Sequence, residues 1–385
     1  MRSSRESVRV HHQDRRESGV DSLSPPGLSS VSLFLPFRRP RTSVSREDAV
    51  VFYPSFASRQ PDGSWNAVIQ GCAYHPRVTW LRGKPMMGLI RRFMRVDREA
   101  DEFFRSRMRQ FLVNFASGRR VSIAIGEQLF SVGPTDAAGL FRTEINLRPE
   151  EMETVPEAST PSISWVRFRA ILAGGDEREF NGLIQLLNPE GVSIISDVDD
   201  TLKVSNVPNR RDLFHNTFAR AFAPIPGMPS LYQACALSGA AFHYVSGSPW
   251  QLYEPLSQFW REQGYPQGSF HLKRFRLRET ARKMRTMSPQ KAHKRAAIEP
   301  LIAAFPQRQF LLVGDAGEQD PDIYASLMHD YPQRIAHIYI RTVRGRDIDY
   351  PRMQRVCAGL PEDQWTLYET ADDIADSVLQ HVRST

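Results

Sequence analysis

From Gly191 onward, short apolar runs alternate with longer stretches of helical period, and that alternation leaves few folds open. GVSIIS (191–196), AFHYVS (241–246), GSFHLKRF (268–275), QFLLVG (309–314) and RIAHIYI (334–340) read as strands. SLYQACAL (230–237), WQLYEPLSQFWREQG (250–264), KAHKRAAIEPLIAAF (291–305) and DPDIYASLMHDY (320–331) lie between them and read as helices. Strands separated by helices pair in parallel, and such sheets are covered on both faces. The predicted class is α/β, with a Rossmann-like parallel sheet over residues 190–385.

Residues 47–189 have a different period. AVVFYPSFAS (49–58), SWNAVIQGCAYHP (64–76), RRVSIAIGE (119–127), GLFRTEINL (139–147), SWVRFRAIL (164–172) and EREFNGLIQLLN (177–188) are β-branched or aromatic runs broken by Gly, Pro and Asp. They predict a β-rich, sandwich-like domain. One long helical segment interrupts it over 86–115, with Met86, Leu89, Ile90, Phe93, Ala100, Phe103, Phe104, Phe111, Leu112 and Phe115 at helical spacing. That stripe suits packing on its own domain or contact with a membrane surface. Residues 1–46, rich in Ser, Arg and Pro, read as a disordered basic tail.

The 385 residues carry 50 Lys and Arg against 43 Asp and Glu, a net charge of +7 that favours a polyanionic partner. Cys72, Cys235 and Cys357 have neither the number nor the spacing of a disulfide framework or zinc site, which fits a reducing cytoplasm. No run approaches the ~18 apolar residues of a membrane span. The expectation is a cytoplasmic protein, at most peripheral at membranes.

In an open α/β sheet the ligand lies beyond the carboxyl ends of the strands. The first strand runs into Asp197, Asp199, Asp200 and Thr201, and the second into Ser246, Gly247 and Ser248. The fourth runs into GDAGEQD, with Asp315, Glu318 and Asp320, and Lys294 lies early in the preceding helix. Phosphoryl transfer needs such a set. One carboxylate can attack phosphorus and carry it as an aspartyl phosphate. A second protonates the leaving oxygen and later deprotonates water. Crowded carboxylates need a cation, and Mg²⁺ takes hard oxygen ligands and bridges to phosphate. A lysine and a serine hydroxyl with neighbouring amides hold the phosphate oxygens. In an extended segment Asp197 and Asp199 point to the same side. Asp200 suits a turn or cap, and Asp320 suits a helix first turn.

ISDVDDTLKVSNV (195–207), YVSGSPWQLY (244–253) and FLLVGDAGEQDPDIY (310–324) resemble the catalytic domain of the actin-patch type of phosphatidate phosphatases, within the haloacid dehalogenase superfamily. The likeness covers about residues 190–345, and a looser one extends to the β-rich region. The resemblance implies a sheet of haloacid dehalogenase type. It makes Asp197 the nucleophile and Asp199 the acid/base. Ser246, Gly247 and Lys294 hold phosphate, and Thr201 supports the loop. Asp197, the main-chain carbonyl of Asp199, and Asp315 ligate Mg²⁺, with Asp320 orienting or ligating. Lys291, one turn away, is the other candidate for the lysine. Gly247 stands where the family more often has Asn, and Ala316 where it often has Ser.

The stretch 271–295 is densely basic and contains Met284 and Met287. It suits a solvated loop, or a mouth that attracts a phosphorylated head group and meets acyl chains. Only small insertions fit between the first two motifs, so no large cap is expected. The predicted function is Mg²⁺-dependent phosphomonoester hydrolysis of phosphatidate, a phospholipid substrate at a membrane surface. Nucleic-acid ends are an alternative substrate, with no aromatic or zinc-finger motif to favour them. A lipid-binding membrane adaptor with secondary catalysis is another.

Overall fold

The computed structural model describes residues 43–77, 101–274 and 289–384. The tail to residue 42, the first part of the expected helix with Met86, Leu89, Ile90, Phe93 and Ala100, and the basic stretch with Met284 and Met287 lie outside the described residues.

Every run read as a strand between residues 49 and 188 is one. The elements are β1 (Ala49–Tyr53), β2 (Ser55–Arg59), β3 (Trp65–His75), α1 (Asp101–Arg109), β4 (Asn114–Phe115), β5 (Val121–Ile125) and β6 (Gln128–Val132). β7 (Leu140–Leu147), β8 (Thr154–Val155), β9 (Ser164–Ile171) and β10 (Asn181–Leu187) follow. The sequence predicts a sandwich; the structure joins all ten strands in one hydrogen-bonded sheet, ordered β1-β3-β2-β10-β9-β5-β6, with β4 and β7 on β3 and β8 on β9. The join is β2, antiparallel to β3 and parallel to β10. Pro54 lacks an amide N–H and breaks the first run, so β1 and β2 pair with different stretches of the long β3. The ends of the sheet converge. Val121 and Ile123 of β5 share one core with Phe141 and Ile145 of β7.

The helix predicted over 86–115 stops at Arg109, and Asn114 and Phe115 pair with His75 and Tyr74 instead. The end of β3 needs backbone partners there, and that requirement overrides the helical period. Packing holds the described turns of α1 in place. Phe104, Met108 and Phe111 enter the core of the α/β half, with Phe104 against Phe214 and Phe111 against Phe218. These three side chains are spent on the protein's own core, not on a membrane surface. Arg107 is 5% exposed. Its Nη1 donates to the carbonyls of Thr217 and Arg220, each at 2.7 Å, and its guanidinium lies over the Phe222 ring.

The α/β half begins at β11 (Val192–Ser196). α2 (Arg210–Phe214), a π-helical turn over His215–Ala219, α3 (Met228–Leu237), β12 (Ala241–Pro249), α4 (Tyr253–Gln263) and β13 (Ser269–Lys273) follow. After these come α5 (Pro289–Ala304), β14 (Gln309–Asp315), α6 (Asp320–Asp330), β15 (Ile335–Arg341), α7 (Arg346–Val356), β16 (Trp365–Tyr368) and α8 (Ala375–Arg383). The six strands are parallel, in the order β13-β12-β11-β14-β15-β16. That is a doubly wound sheet with its topological switch between β11 and β14. Ile194 of β11 faces a core shared with α3, α4 and α8; Ile195, on the other face, packs with α5, α6 and α7. Phe56, Val68, Trp165 and Leu187 of the β-rich sheet enter the second core. Arg308 closes the seam between the halves. It donates to the carbonyls of Asn188 (2.9 Å), Glu190 (2.5 Å) and Val192 (2.7 Å), and to Ser193 Oγ (3.0 Å). Between β11 and β12 the chain forms only α2, its π turn and α3, and no further sheet.

Candidate active site

The polar residues flagged in the sequence gather at the switch point. Asp197 follows β11 directly, with its amide on the Val313 carbonyl of β14 at 2.8 Å. Asp200 sits in the left-handed region, φ 57°, where an Asp side chain can hydrogen-bond locally. Its carboxylate accepts the amides of Ser205 (2.8 Å), Asn206 (2.7 Å) and Val207 (2.6 Å). Asp200 thus staples the loop, as the turn reading predicts.

Lys294, in the second turn of α5, is fully buried. Its Nζ donates to Asp197 Oδ1 at 2.6 Å, to Glu318 Oε2 at 3.3 Å and to Asp320 Oδ1. Burial opposes its charge, but Asp197, Asp320 and Glu318 hold its pKa well above the ordinary lysine value. Burial pushes the Asp197 pKa well up; Lys294 opposes this, and Asp320, Glu318 and Asp199 add to it. Thr201 Oγ1 reaches Asp197 Oδ2 at 3.3 Å.

Asp199 has a different environment. Lys203 Nζ lies 2.8 Å from its Oδ1, and Ser205 donates to the same oxygen at 2.6 Å. Ser248 and Ser246 donate to Oδ2 at 2.7 and 3.2 Å. Burial would raise its pKa, but the Lys203 ammonium and the hydroxyl donors outweigh burial and hold it well below the usual carboxylate range. Two carboxylates two residues apart thus sit in sharply different environments, Asp197 against one ammonium in a crowd of carboxylates and Asp199 against an ammonium and three hydroxyls.

Asp315 ends β14. Its Oδ1 accepts the amides of Gly317 (2.6 Å) and Glu318 (3.1 Å), while its Oδ2 is buried without a partner. Burial, then Asp320 and Asp197, push its pKa well up. Asp320 opens α6, where the helix dipole favours negative charge, and its Oδ2 accepts the Asp315 amide at 3.4 Å. One oxygen each from Asp197, Glu318 and Asp320 lie within 4.8 Å of one another. Hard carboxylate oxygens so grouped suit a divalent cation such as Mg²⁺ as well as the Lys294 ammonium that they surround; Asp315 is not one of the three, and its buried Oδ2 has no partner.

The structure thus brings together Asp197, Asp199, Thr201, Ser246, Lys294, Asp315 and Asp320. Gly247 lies between the two serine hydroxyls on β12, half-buried. The Lys291 side chain is outside the described residues, and Lys294 is the lysine that meets Asp197. Ser246 touches Asp199 directly. Sequence reasoning gave no role to Lys203, Ser205, Ser248 or Glu318. Ser246 and Ser248 share a side by strand alternation, a signal that was available. Nothing in the sequence marks Lys203 as buried.

Residues 192–342 match the family described as phosphatidate phosphatase APP1, catalytic domain. This segment resembles the catalytic domain of the phosphatidate phosphatases. Among curated relatives, the chain is 32% identical over 170 residues to phosphatidate phosphatase APP1 of Saccharomyces cerevisiae, covering 43% of this chain and 28% of that protein. It is 34% identical over 164 residues to an uncharacterized protein of Schizosaccharomyces pombe, covering 42% of this chain and 26% of the relative. The chain spans about a quarter of the length of these relatives. A solved sialyltransferase of Photobacterium damsela overlays with a TM-score of 0.21 at 10% identity, over 69% of this chain and 53% of that one, which is too low to carry an argument. No described helix is long and apolar enough to cross a membrane.

Proposed function

We propose that the chain is a Mg²⁺-dependent phosphomonoester hydrolase with a sheet of haloacid dehalogenase type, acting on phosphatidate to release diacylglycerol and phosphate. The observation that carries this is the meeting of Asp197, Lys294, Asp315 and Asp320 at the switch point, inside the segment shared with the phosphatidate phosphatase family.

Asp197 attacks phosphorus as the ester P–O bond breaks, giving an aspartyl phosphate. Asp199 gives its proton to the departing alkoxide, then takes one from the water that attacks phosphorus and frees Asp197. An arriving phosphate dianion raises the proton affinity of Asp199, so the clamp of Lys203 and three hydroxyls does not bar the acid role. Lys294 holds Asp197 in place and faces the transferring oxygens. Asp197, Asp315, Asp320 and Glu318 are the carboxylates that would hold Mg²⁺. Bound there, the cation would neutralise them and polarise the phosphoryl group. The site lies on a cytoplasmic protein that meets its substrate at the membrane surface.

The test is phosphate release from phosphatidate in detergent micelles, with Mg²⁺ and after chelation. Release is expected only with the cation. Asp197→Asn and Asp199→Asn are each expected to abolish it while the melting temperature is retained, and full turnover by either variant overturns the mechanism.

A further inference from the structure

Lys203 is 1% exposed and sits in the loop that carries Asp197 and Asp199. Its backbone is held on both sides. The Lys203 amide donates to the Val198 carbonyl at 3.0 Å, and its carbonyl accepts the Asp200 amide at 2.7 Å. The neighbouring Leu202 carbonyl accepts the Ile225 amide at 2.8 Å and the Tyr265 hydroxyl at 2.7 Å. The Phe222 ring lies 4.9 Å from the ammonium. The ammonium is thus a fixed point. Among the described residues the carboxylate it meets is that of Asp199, with Oδ1 at 2.8 Å. Ser205 Oγ accepts from the same ammonium and donates to the same Oδ1 at 2.6 Å.

The two oxygens of Asp199 are held by different parts of the chain. Oδ1 is taken by Lys203 and Ser205, both on the loop to which Asp199 belongs. Oδ2 is taken by Ser246 and Ser248 of β12, at 3.2 and 2.7 Å. A carboxylate has about four lone-pair positions, and these donors fill them. A phosphate that binds Ser246 competes with Oδ2 for its hydroxyl. The donors on Oδ1 are enclosed by the loop, and they remain. Oδ1 therefore keeps its anchor while Oδ2 is released toward the phosphoryl group.

We propose that Lys203 is the positioning residue for proton transfer by Asp199: it pins Oδ1, directly and through Ser205, so that Oδ2 faces the ester oxygen. In the phosphoryl-transfer step the proton on Oδ2 passes to that oxygen, which leaves with the electron pair of the broken P–O bond while Asp197 forms the new one. Such placement matters most for esters of aliphatic alcohols, whose alkoxides depart poorly without a proton; a nitrophenolate leaves without one. The inference rests on the phosphomonoesterase reading and is independent of the lipid.

The test compares two monoesters of similar size, benzyl phosphate and 4-nitrophenyl phosphate, through kcat/KM. Lys203→Met is expected to lower the value for benzyl phosphate ~10²-fold, the scale of loss for a misplaced group, and to leave that for 4-nitrophenyl phosphate near the parent's. Ser205→Ala removes only the bridging hydroxyl. It is expected to lower the benzyl value about tenfold, the size of one hydrogen bond to a charged group, again with little change for the nitrophenyl ester. A role confined to folding the loop would misplace Asp197 along with Asp199 and slow both substrates alike. An equal fall for both, or no fall for benzyl phosphate, therefore overturns the proposal. If Lys203→Met is recovered unfolded, the same ratio in Ser205→Ala decides. A parent that hydrolyses benzyl phosphate but no phosphatidate, with the ratio shifted in the variants, sinks the lipid reading and upholds the role of Lys203. A parent that hydrolyses neither benzyl nor nitrophenyl phosphate overturns both.

Discussion

Lys294 Nζ stands 2.6 Å from Asp197 Oδ1, and neither side chain is exposed to solvent. The same ammonium pairs with Asp320 and Glu318, so one cation balances three carboxylates. Buried charge is tolerated only when paired, which makes Lys294 both a structural and a chemical requirement.

Lys294→Met keeps the aliphatic stem and removes the charge. It leaves Asp197, Asp320 and Glu318 facing one another in a buried site. The expected losses are ~10²–10³-fold in kcat and about 3–5 kcal/mol in unfolding free energy. Phosphate release and urea titration measure them. Turnover close to that of the parent would show that Lys294 holds the site without serving the reaction.

Gly314 is a narrower test. A Cβ there would overlap the Asp320 carboxylate and the Tyr324 ring. Gly314→Ala must displace one or the other, at a stability cost of about 1–3 kcal/mol. Because Asp320 contacts both Lys294 and the Asp315 amide, turnover should fall ~10²-fold, out of proportion to that loss. Melting curves and kinetics on one preparation decide it. A parallel, modest decline in both would mean that Tyr324 gives way and Asp320 keeps its place.

A pH effect is built into the junction of the two sheets. His243 Nδ1 meets Ser269 Oγ at 2.7 Å, and Ser269 Oγ meets His271 Nε2 at 2.9 Å. Burial holds His243 well below the ordinary imidazole value, with His271 and Arg308 adding to it, and brings His271 down to about 3. In the unfolded chain both protonate near pH ~6.5. Below that pH the unfolded state binds protons that the native state refuses, so stability is full above pH ~6.5 and is lost as pH falls toward the native values. Relative to His243→Gln, the parent should lose about 1.4 kcal/mol per pH unit between pH ~6 and ~4.5. Urea midpoints across that range report the difference. A pH-independent gap would mean that His243 is already charged in the native state.

Much of this was legible in the sequence, and what was not has physical causes. Val192, Ile194 and Ile195 announce a strand because parallel sheets bury both faces; Asp197, Asp199 and Asp315 stand at the ends of readable strands, and Lys294 stands early in a readable helix. Asp200 was legible as a turn residue. β16 and α8 were missed because four and nine residues carry little periodic signal. The helix reading over 86–115 failed at its end because the partner that claims Asn114 and Phe115 is β3, some forty residues earlier, and pairing across that distance leaves no local trace. Lys203 was passed over for a related reason. A lysine in a polar loop reads as solvated, and only the folded chain places it against Asp199 and the Phe222 ring.

The anchoring of α1 in the α/β core has a practical corollary. The stretch that carries the family's motifs is not a portable module. Cloned alone as residues 192–342, it would leave behind the apolar plugs Phe104 and Met108 of α1 and Phe111 just after it, the strand that shields the edge of β15, and the peptide oxygens that Arg308 ties at Asn188 and Glu190. Such a fragment would enter solution with a bare greasy flank and an open ladder edge, and would be recovered from inclusion bodies rather than from the supernatant.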